Sequence, residues 1–248
     1  MAKKSRKTKS NKEHNVVHPH FEHQGHDWHP LDDDINGRRD KKYVKNIKPR
    51  SDGQAELMKS IDEHSLTLAI GPAGTGKTYL AISKAAEALE KGEVERIILS
   101  RPAMEAGESL GYLPGDLHEK MAPYLRPLYD SLGDRMGGKK VRQYIEDGTI
   151  EIAPVGFMRG RTLNNSFVVI DEAQNCTYGQ LKMLLSRLGW HSTMVVTGDP
   201  EQSDLLEGMS GLSDIARRLD AIENIAVCRL TDGDIVRHPL VADMLGVL

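Results

Sequence analysis

Residues Gly71 to Thr78 read Gly-Pro-Ala-Gly-Thr-Gly-Lys-Thr and follow directly on the apolar run Leu66-Thr-Leu-Ala-Ile70. No other feature constrains the fold as much. A G-x-x-x-x-G-K-[ST] loop binds phosphate only when a buried strand launches it and a helix leaves from it. Gly71, Gly74 and Gly76 let the backbone curl, with Pro72, Ala73 and Thr75 between them, so that successive N–H groups turn inward on an anion. Lys77 is placed to reach the β- and γ-phosphates, and the Thr78 hydroxyl to ligate Mg²⁺. The following helix adds its positive N-terminus. An ordinary glycine-rich turn is the alternative. The context opposes it, because Tyr79 to Lys91 carries the helical apolar face Leu80, Ala81, Ala85, Ala88 and Leu89, and Gly92 stands where such a helix stops. The chain is therefore expected to bind a nucleoside triphosphate, with residues 71–79 as its contact segment.

The rest of the body has the pattern that such a loop needs. Apolar strand candidates are Leu66–Ile70, Arg96–Ser100, Ile150–Ala153, Phe167–Ile170, Thr193–Thr197 and Ile225–Leu230, with amphipathic helical stretches between most of them. This alternation predicts an α/β fold, a mostly parallel sheet with helices on both faces, and ligand chemistry at the carboxyl ends of the strands. Residues 1–50 differ. They are poor in aliphatic residues and hold 13 Lys and Arg against 7 Asp and Glu, whereas residues 51–248 hold 20 against 29. A basic, flexible arm (1–50) on an acidic domain (51–248) is the expected organisation. The two cysteines, Cys176 and Cys228, form no spaced framework, which fits a reducing cytoplasm. No 18-residue apolar run exists, so no membrane partner is expected.

Phe167-Val-Val-Ile170 ends in Asp171-Glu172-Ala-Gln174. At the carboxyl edge of the sheet, Asp171 is expected to hold Mg²⁺ and Glu172 to position the attacking water. Solvated acids at a strand-to-turn boundary are the alternative, weakened by the nearby loop. Thr177-Tyr-Gly-Gln180 matches a capping box for a helix running to Leu188. Thr193–Thr197 leads into Gly198-Asp-Pro-Glu-Gln202, where Gln202 either senses the γ-phosphate or sits in a plain surface turn. Gln54 has two readings as well. Its amide suits the edge of an adenine, and Ser51-Asp-Gly-Gln54 also matches a capping box.

Five segments together resemble the PhoH-like family of P-loop ATPases, similar to the RecA-like core of superfamily 1 helicases. They are GPAGTGKTYLA (71–81), residues 100–130, MRGRTLNNSFVVIDEAQN (158–175), MVVTGDPEQSDL (194–205) and DIVRHPLV (234–241). The resemblance covers about residues 50–245 and implies a RecA-like sheet, ATP and Mg²⁺ as ligands, and ATP hydrolysis. It implies Gln202 as a γ-phosphate contact and Gln54 as an adenine contact. It suggests single-stranded nucleic acid, RNA before DNA, as partner, and a homo-oligomer, by resemblance a hexamer.

One core in the chain leaves the site needing an arginine from a neighbour, and Arg237 is the candidate; an ion pair within its own subunit is the alternative. The glycine-punctuated insertion at 107–116, together with Arg159 and Arg161, is a candidate nucleic-acid contact. His18, His20, His23, His26 and His29 could chelate a transition metal, but a polar arm that attracts phosphates is the simpler reading. An ATP-dependent switch on a protein partner stays open as a rival function. A small-molecule kinase is disfavoured, because an acidic pair that places water is what a kinase must avoid.

Overall fold

The computed structural model describes residues 47–102, 117–206 and 208–236. The histidine-rich arm, the glycine-punctuated insertion and Arg237 lie outside them. Six strands form one sheet: β1 (Leu66–Ile70), β2 (Arg96–Arg101), β3 (Ile150–Pro154), β4 (Ser166–Ile170), β5 (Thr193–Gly198) and β6 (Ile225–Arg229). Their order is β3-β2-β4-β5-β1-β6, and every pairing is parallel. Helices α1 (Asp52–Glu63), α2 (Lys77–Lys91), α3 (Leu117–Met136), α4 (Gly138–Glu146), α5 (Tyr178–Leu185) and α6 (Leu212–Leu219) cover it. This is the α/β architecture that the sequence predicts, a parallel sheet with helices on both faces.

β1 and β4 are buried along their whole length, as strands covered on both faces must be. Alternate residues feed two cores. Phe167 and Val169 join Leu57, Ile61, Leu80, Leu128 and Leu132 on the α1–α4 face. Val168 and Ile170 join Met158, Leu181, Leu184, Leu212 and Ile215 on the other. At about 1.5–3 kcal/mol for each large apolar side chain buried, the two layers fix strand register, since a one-residue slip would exchange the faces. Cys176 and Cys228 are packed in these cores. Burial pushes the Cys176 thiol up to about 12 and raises Cys228 as well, so neither is a ready nucleophile. Among the described residues, no helix is long and apolar enough to cross a membrane.

α2 begins at Lys77, because Gly76 (φ 83°) caps it and its carbonyl accepts from the Leu80 N–H at 2.9 Å. Lys77 and Thr78 therefore occupy the first helical turn. The capping box Thr177–Gln180 forms on both sides, but α5 ends at Leu185 instead of Leu188. Tighter turns follow, with the Arg187 N–H on the Leu184 carbonyl at 2.9 Å and the Leu188 N–H on the Leu185 carbonyl at 3.2 Å, and they bring Leu188 to bridge Leu163, whose N–H lies on the Arg187 carbonyl at 2.9 Å. Those turn bonds take the place of the last helical turn.

Candidate nucleotide site

β1 delivers the loop and β5 braces it, with the Gly71 N–H on the Gly198 carbonyl at 3.2 Å. Gly71 has φ 143°, and a Cβ there would lie 2.3 Å from the Leu230 carbonyl oxygen, so only glycine lets β6 close against the loop. Within the loop, the Thr75 hydroxyl donates to the Pro72 carbonyl at 2.9 Å. Lys77 Nζ folds over the curl and donates to the Gly71 and Pro72 carbonyls at 2.6 and 2.8 Å. Burial lowers the Lys77 pKa, against the pull of Asp199, Glu172 and Asp171. The lysine is thus a desolvated cation at the loop's centre, facing three carboxylates. The Ala73 N–H lies on Asp199 Oδ2 at 3.2 Å, Gly74 is exposed, and Tyr79 follows Thr78 in the first turn, half-buried.

β4 brings the acidic pair to the same edge. Asp171, 3% exposed, accepts at Oδ1 from the Thr78 hydroxyl at 2.6 Å and from the Thr197 hydroxyl at 2.8 Å. Two hard oxygen groups meeting at this distance next to a phosphate loop would suit a hard divalent cation such as Mg²⁺. Glu172 turns the other way. Its backbone is left-handed (φ 52°, ψ 42°), a conformation a glutamate rarely adopts without constraint. Gln174 Nε2 donates to Glu172 Oε2 at 2.5 Å and Arg101 Nη2 to Oε1 at 3.2 Å. Arg101 also lies 3.7 Å from Asp171. The two carboxylates are therefore sorted. One is buried against hydroxyls, the other held at the mouth by an amide and a guanidinium.

The β5 loop closes the third side. Asp199 donates its N–H to Gln174 Oε1 at 3.0 Å, and the Ser203 hydroxyl donates to the Gln174 carbonyl at 3.0 Å. Gln202 is exposed and shares a cleft of about 480 Å³ with Arg101, Glu172, Gln174, Asn175, Ser203 and Asp204. Gln54, 5% exposed, lies on the loop's far side. It donates from Nε2 to the Thr75 carbonyl at 3.0 Å and accepts at Oε1 from the Arg50 N–H at 2.9 Å. Only half of the expected capping box forms at α1. The Ser51 hydroxyl accepts from the Gln54 N–H at 3.2 Å, but the returning bond comes from Arg50, one residue early.

The family model of the PhoH-like proteins matches residues 46–248. The chain belongs to the PhoH-like family. It is 52% identical over 202 residues to the PhoH-like protein of Bacillus subtilis (strain 168), which covers 81% of this chain and 63% of that one. It is 45% identical over 209 residues to protein PhoH of Escherichia coli (strain K12), covering 83% and 59%. The chain thus spans less than two thirds of the length of these relatives. Among solved structures, the large terminase of a thermophilic bacteriophage superposes over 80% of the chain and 50% of its own, with 12% identity and a TM-score of 0.49.

Several parts of this PhoH-like site carry no role in the sequence reading. Gln174 and Arg101 stand there only as neighbours of a motif and a strand end, and Thr197 and Asp199 only as strand and turn. A signal exists: β2 and β5 both end their apolar runs in buried or half-buried polar residues at the carboxyl edge. One expectation needs correction. Arg161 is not poised for phosphates, because its guanidinium makes a two-pronged ion pair with Glu151 at 2.5 and 2.6 Å. That pair ties the loop after β3 back onto the strand. Arg159 is exposed.

Proposed function

We propose that this PhoH-like domain binds ATP with Mg²⁺ and hydrolyses it, acting on single-stranded nucleic acid, RNA before DNA, as a ring of like subunits, six by family resemblance. The observation that carries the hydrolytic reading is the 2.6 Å contact of Thr78 with Asp171 beside a separately held Glu172. Phosphoryl transfer asks little covalent chemistry of a protein; positioning and charge stabilisation supply most of the catalysis. The loop amides and the α2 N-terminus, worth roughly half a positive charge, hold the phosphates. Lys77 leaves the loop carbonyls for the β- and γ-phosphates, exchanging neutral acceptors for charged ones. Thr78 and Asp171 would hold the cation, which would supply positive charge to offset that of the phosphates. Thr197 keeps Asp171 oriented as Thr78 turns to its new partner. Glu172 accepts the hydrogen bond of the attacking water and aims it at the γ-phosphorus. Gln202 is the γ-phosphate contact, and Gln174 joins its loop to Glu172.

Two features favour nucleic acid: the family resemblance to helicase cores, and the 13-to-7 basic excess of residues 1–50. The test is the initial rate of ATP hydrolysis by the full chain, alone and with single-stranded RNA or DNA. Stimulation of several-fold, larger with RNA, is expected. No hydrolysis under any condition overturns the enzymatic reading. Hydrolysis indifferent to both nucleic acids points instead to a switch on a protein partner.

The ring reading rests on the family resemblance and on an arginine supplied from one subunit to the next. Arg237 is assigned to the neighbour's site, where an arginine stabilises transition-state charge. Subunits carrying Arg237→Ala, mixed with subunits carrying Lys77→Ala, are expected to regain part of the hydrolysis that each lacks alone. Mixed rings would contain some sites pairing an intact lysine with an intact arginine. Absence of recovery despite demonstrated subunit exchange refutes the assignment.

A further inference from the structure

The capping box that starts α5 sets Tyr178 at the first helical position. Leu181 and Leu184 turn that helix into the core, while Tyr178 and Lys182, one turn apart and so on one face, stay exposed. A single exposed tyrosine is ordinary. This one has neighbours. The Arg218 guanidinium, from α6, lies 5.5 Å from the centre of its ring, and Met209, 50% exposed, comes from the loop that leads from β5 into α6. That loop is laid on the start of α5. Thr177 bridges Ser210, the Gly211 N–H lies on the Cys176 carbonyl at 3.0 Å, and a Cβ at Gly211 would be 2.4 Å from Tyr178 Cα, so only glycine allows the contact.

The charge here runs against that of the body. Residues 51–248 hold 20 Lys and Arg against 29 Asp and Glu. On this face Lys182, Arg217 and Arg218 are exposed, and Asp214 accepts from both arginines, one carboxylate against three cations. An aromatic ring with a guanidinium plane beside it is the pair of surfaces on which bases stack, and flanking cations meet phosphates. The patch is also joined to the nucleotide site. The loop that carries Met209 carries Gln202, and a two-way bond fastens it to the turn after β4. Asn175 Nδ2 donates to Asp204 Oδ2 at 2.9 Å, and the Asp204 N–H donates to Asn175 Oδ1 at 2.8 Å. A strand seated on Tyr178 and Met209 bears on the segment that holds Glu172 and Gln202.

We propose that Tyr178, with Arg218 against its ring, is a stacking platform for a base of a single-stranded nucleic acid, and that Lys182 and Arg217 hold the strand's phosphates. Resting on the nucleic-acid reading above, this places the strand on α5, α6 and the loop that leads into α6, whereas Arg161 is already spent on Glu151.

Binding and hydrolysis are measured on the full-length protein. Fluorescence anisotropy follows a labelled oligouridylate or oligothymidylate over a series of salt concentrations, and ATP hydrolysis is read with and without each strand. Tyr178→Ala should bind about tenfold more weakly and lose most of the stimulation, at an unchanged rate without nucleic acid. Tyr178→Phe keeps the ring and should stay within about twofold of the wild type. Lys182→Gln should weaken binding and reduce the slope of log affinity on log salt by about one. Wild-type affinity and stimulation in Tyr178→Ala overturn the platform. An equal loss in Tyr178→Phe overturns stacking in favour of a contact through the hydroxyl. A fall in hydrolysis without nucleic acid makes Tyr178 structural and also overturns the platform; should the alanine variant not fold, an unchanged salt slope in Lys182→Gln overturns it instead. A wild type that hydrolyses ATP but binds neither strand overturns the nucleic-acid reading itself, and the platform with it.

Discussion

Lys77→Ala is expected to lower the rate of ATP hydrolysis by at least about 10²–10³-fold while leaving the fold intact. The magnitude is that of removing one pre-aimed donor from a developing oxyanion, and a full charge at the transferring phosphate is a stronger case than a neutral amide. The retained fold follows from where the lysine sits. Its side chain is only 8% exposed and its pKa is lowered, chiefly by burial. A folded-state pKa below the ordinary 10.5 means that the folded chain binds this proton less tightly than the unfolded chain. The charge therefore costs stability at neutral pH, and that cost is relieved as pH rises through the folded pKa towards 10.5. Alanine removes the cost along with the bonds to the Gly71 and Pro72 carbonyls, so the two changes oppose each other. Thermal melting should show a small shift, within about 4 °C, at about 2–4 °C per kcal/mol for a chain of this size. A variant that keeps half the wild-type rate would remove Lys77 from catalysis. A collapse of Tm would make its role structural.

What could be read from the sequence was what is local. β1 and β4 are buried throughout and mostly apolar because both faces are covered, and such runs announce themselves. The strand ends are less legible. β2, β3 and β5 each run one residue past their apolar stretch, to Arg101, Pro154 and Gly198, because backbone pairing continues after side-chain hydrophobicity stops. The same holds at the site. Loop and acidic pair are contiguous motifs, so their roles could be proposed directly. The contacts that orient them span the chain: Arg101 with Glu172, Ala73 with Asp199, Gln54 with Thr75. These depend on strand order. β5 lies between β1 and β4, and this placement lets Thr197 reach Asp171 and Asp199 reach the loop. Periodicity reveals a strand but not its neighbours. That is why Gln174, in plain view two residues after Glu172, had no readable role until its partner on the β5 loop was known.

Glu172→Gln should separate binding from turnover. The substitution keeps size and shape and leaves Lys77, Thr78 and Asp171 untouched, so ATP and Mg²⁺ should still bind. It removes the carboxylate that accepts from water, a contribution of about 10²–10⁴-fold when a positioned base is lost. The surroundings increase the loss. Glu172 now accepts from both Gln174 Nε2 and Arg101 Nη2, and an amide has one acceptor oxygen for these two donors. Whichever donor it keeps, its –NH₂ meets the other, and the side chain is no longer held by both. The left-handed backbone at residue 172 cannot relax to compensate, because the Asn175 N–H on the Glu172 carbonyl at 3.0 Å closes the turn. The measurement is twofold: steady-state hydrolysis, and the identity of nucleotide that stays with the protein through gel filtration after incubation with ATP. The expected result is a rate reduced by about 10²–10⁴-fold with ATP, not ADP, retained. Wild-type turnover would show that another group handles the water. Loss of ATP binding would show that Glu172 belongs to the phosphate site, and the division of labour between the two carboxylates would fall.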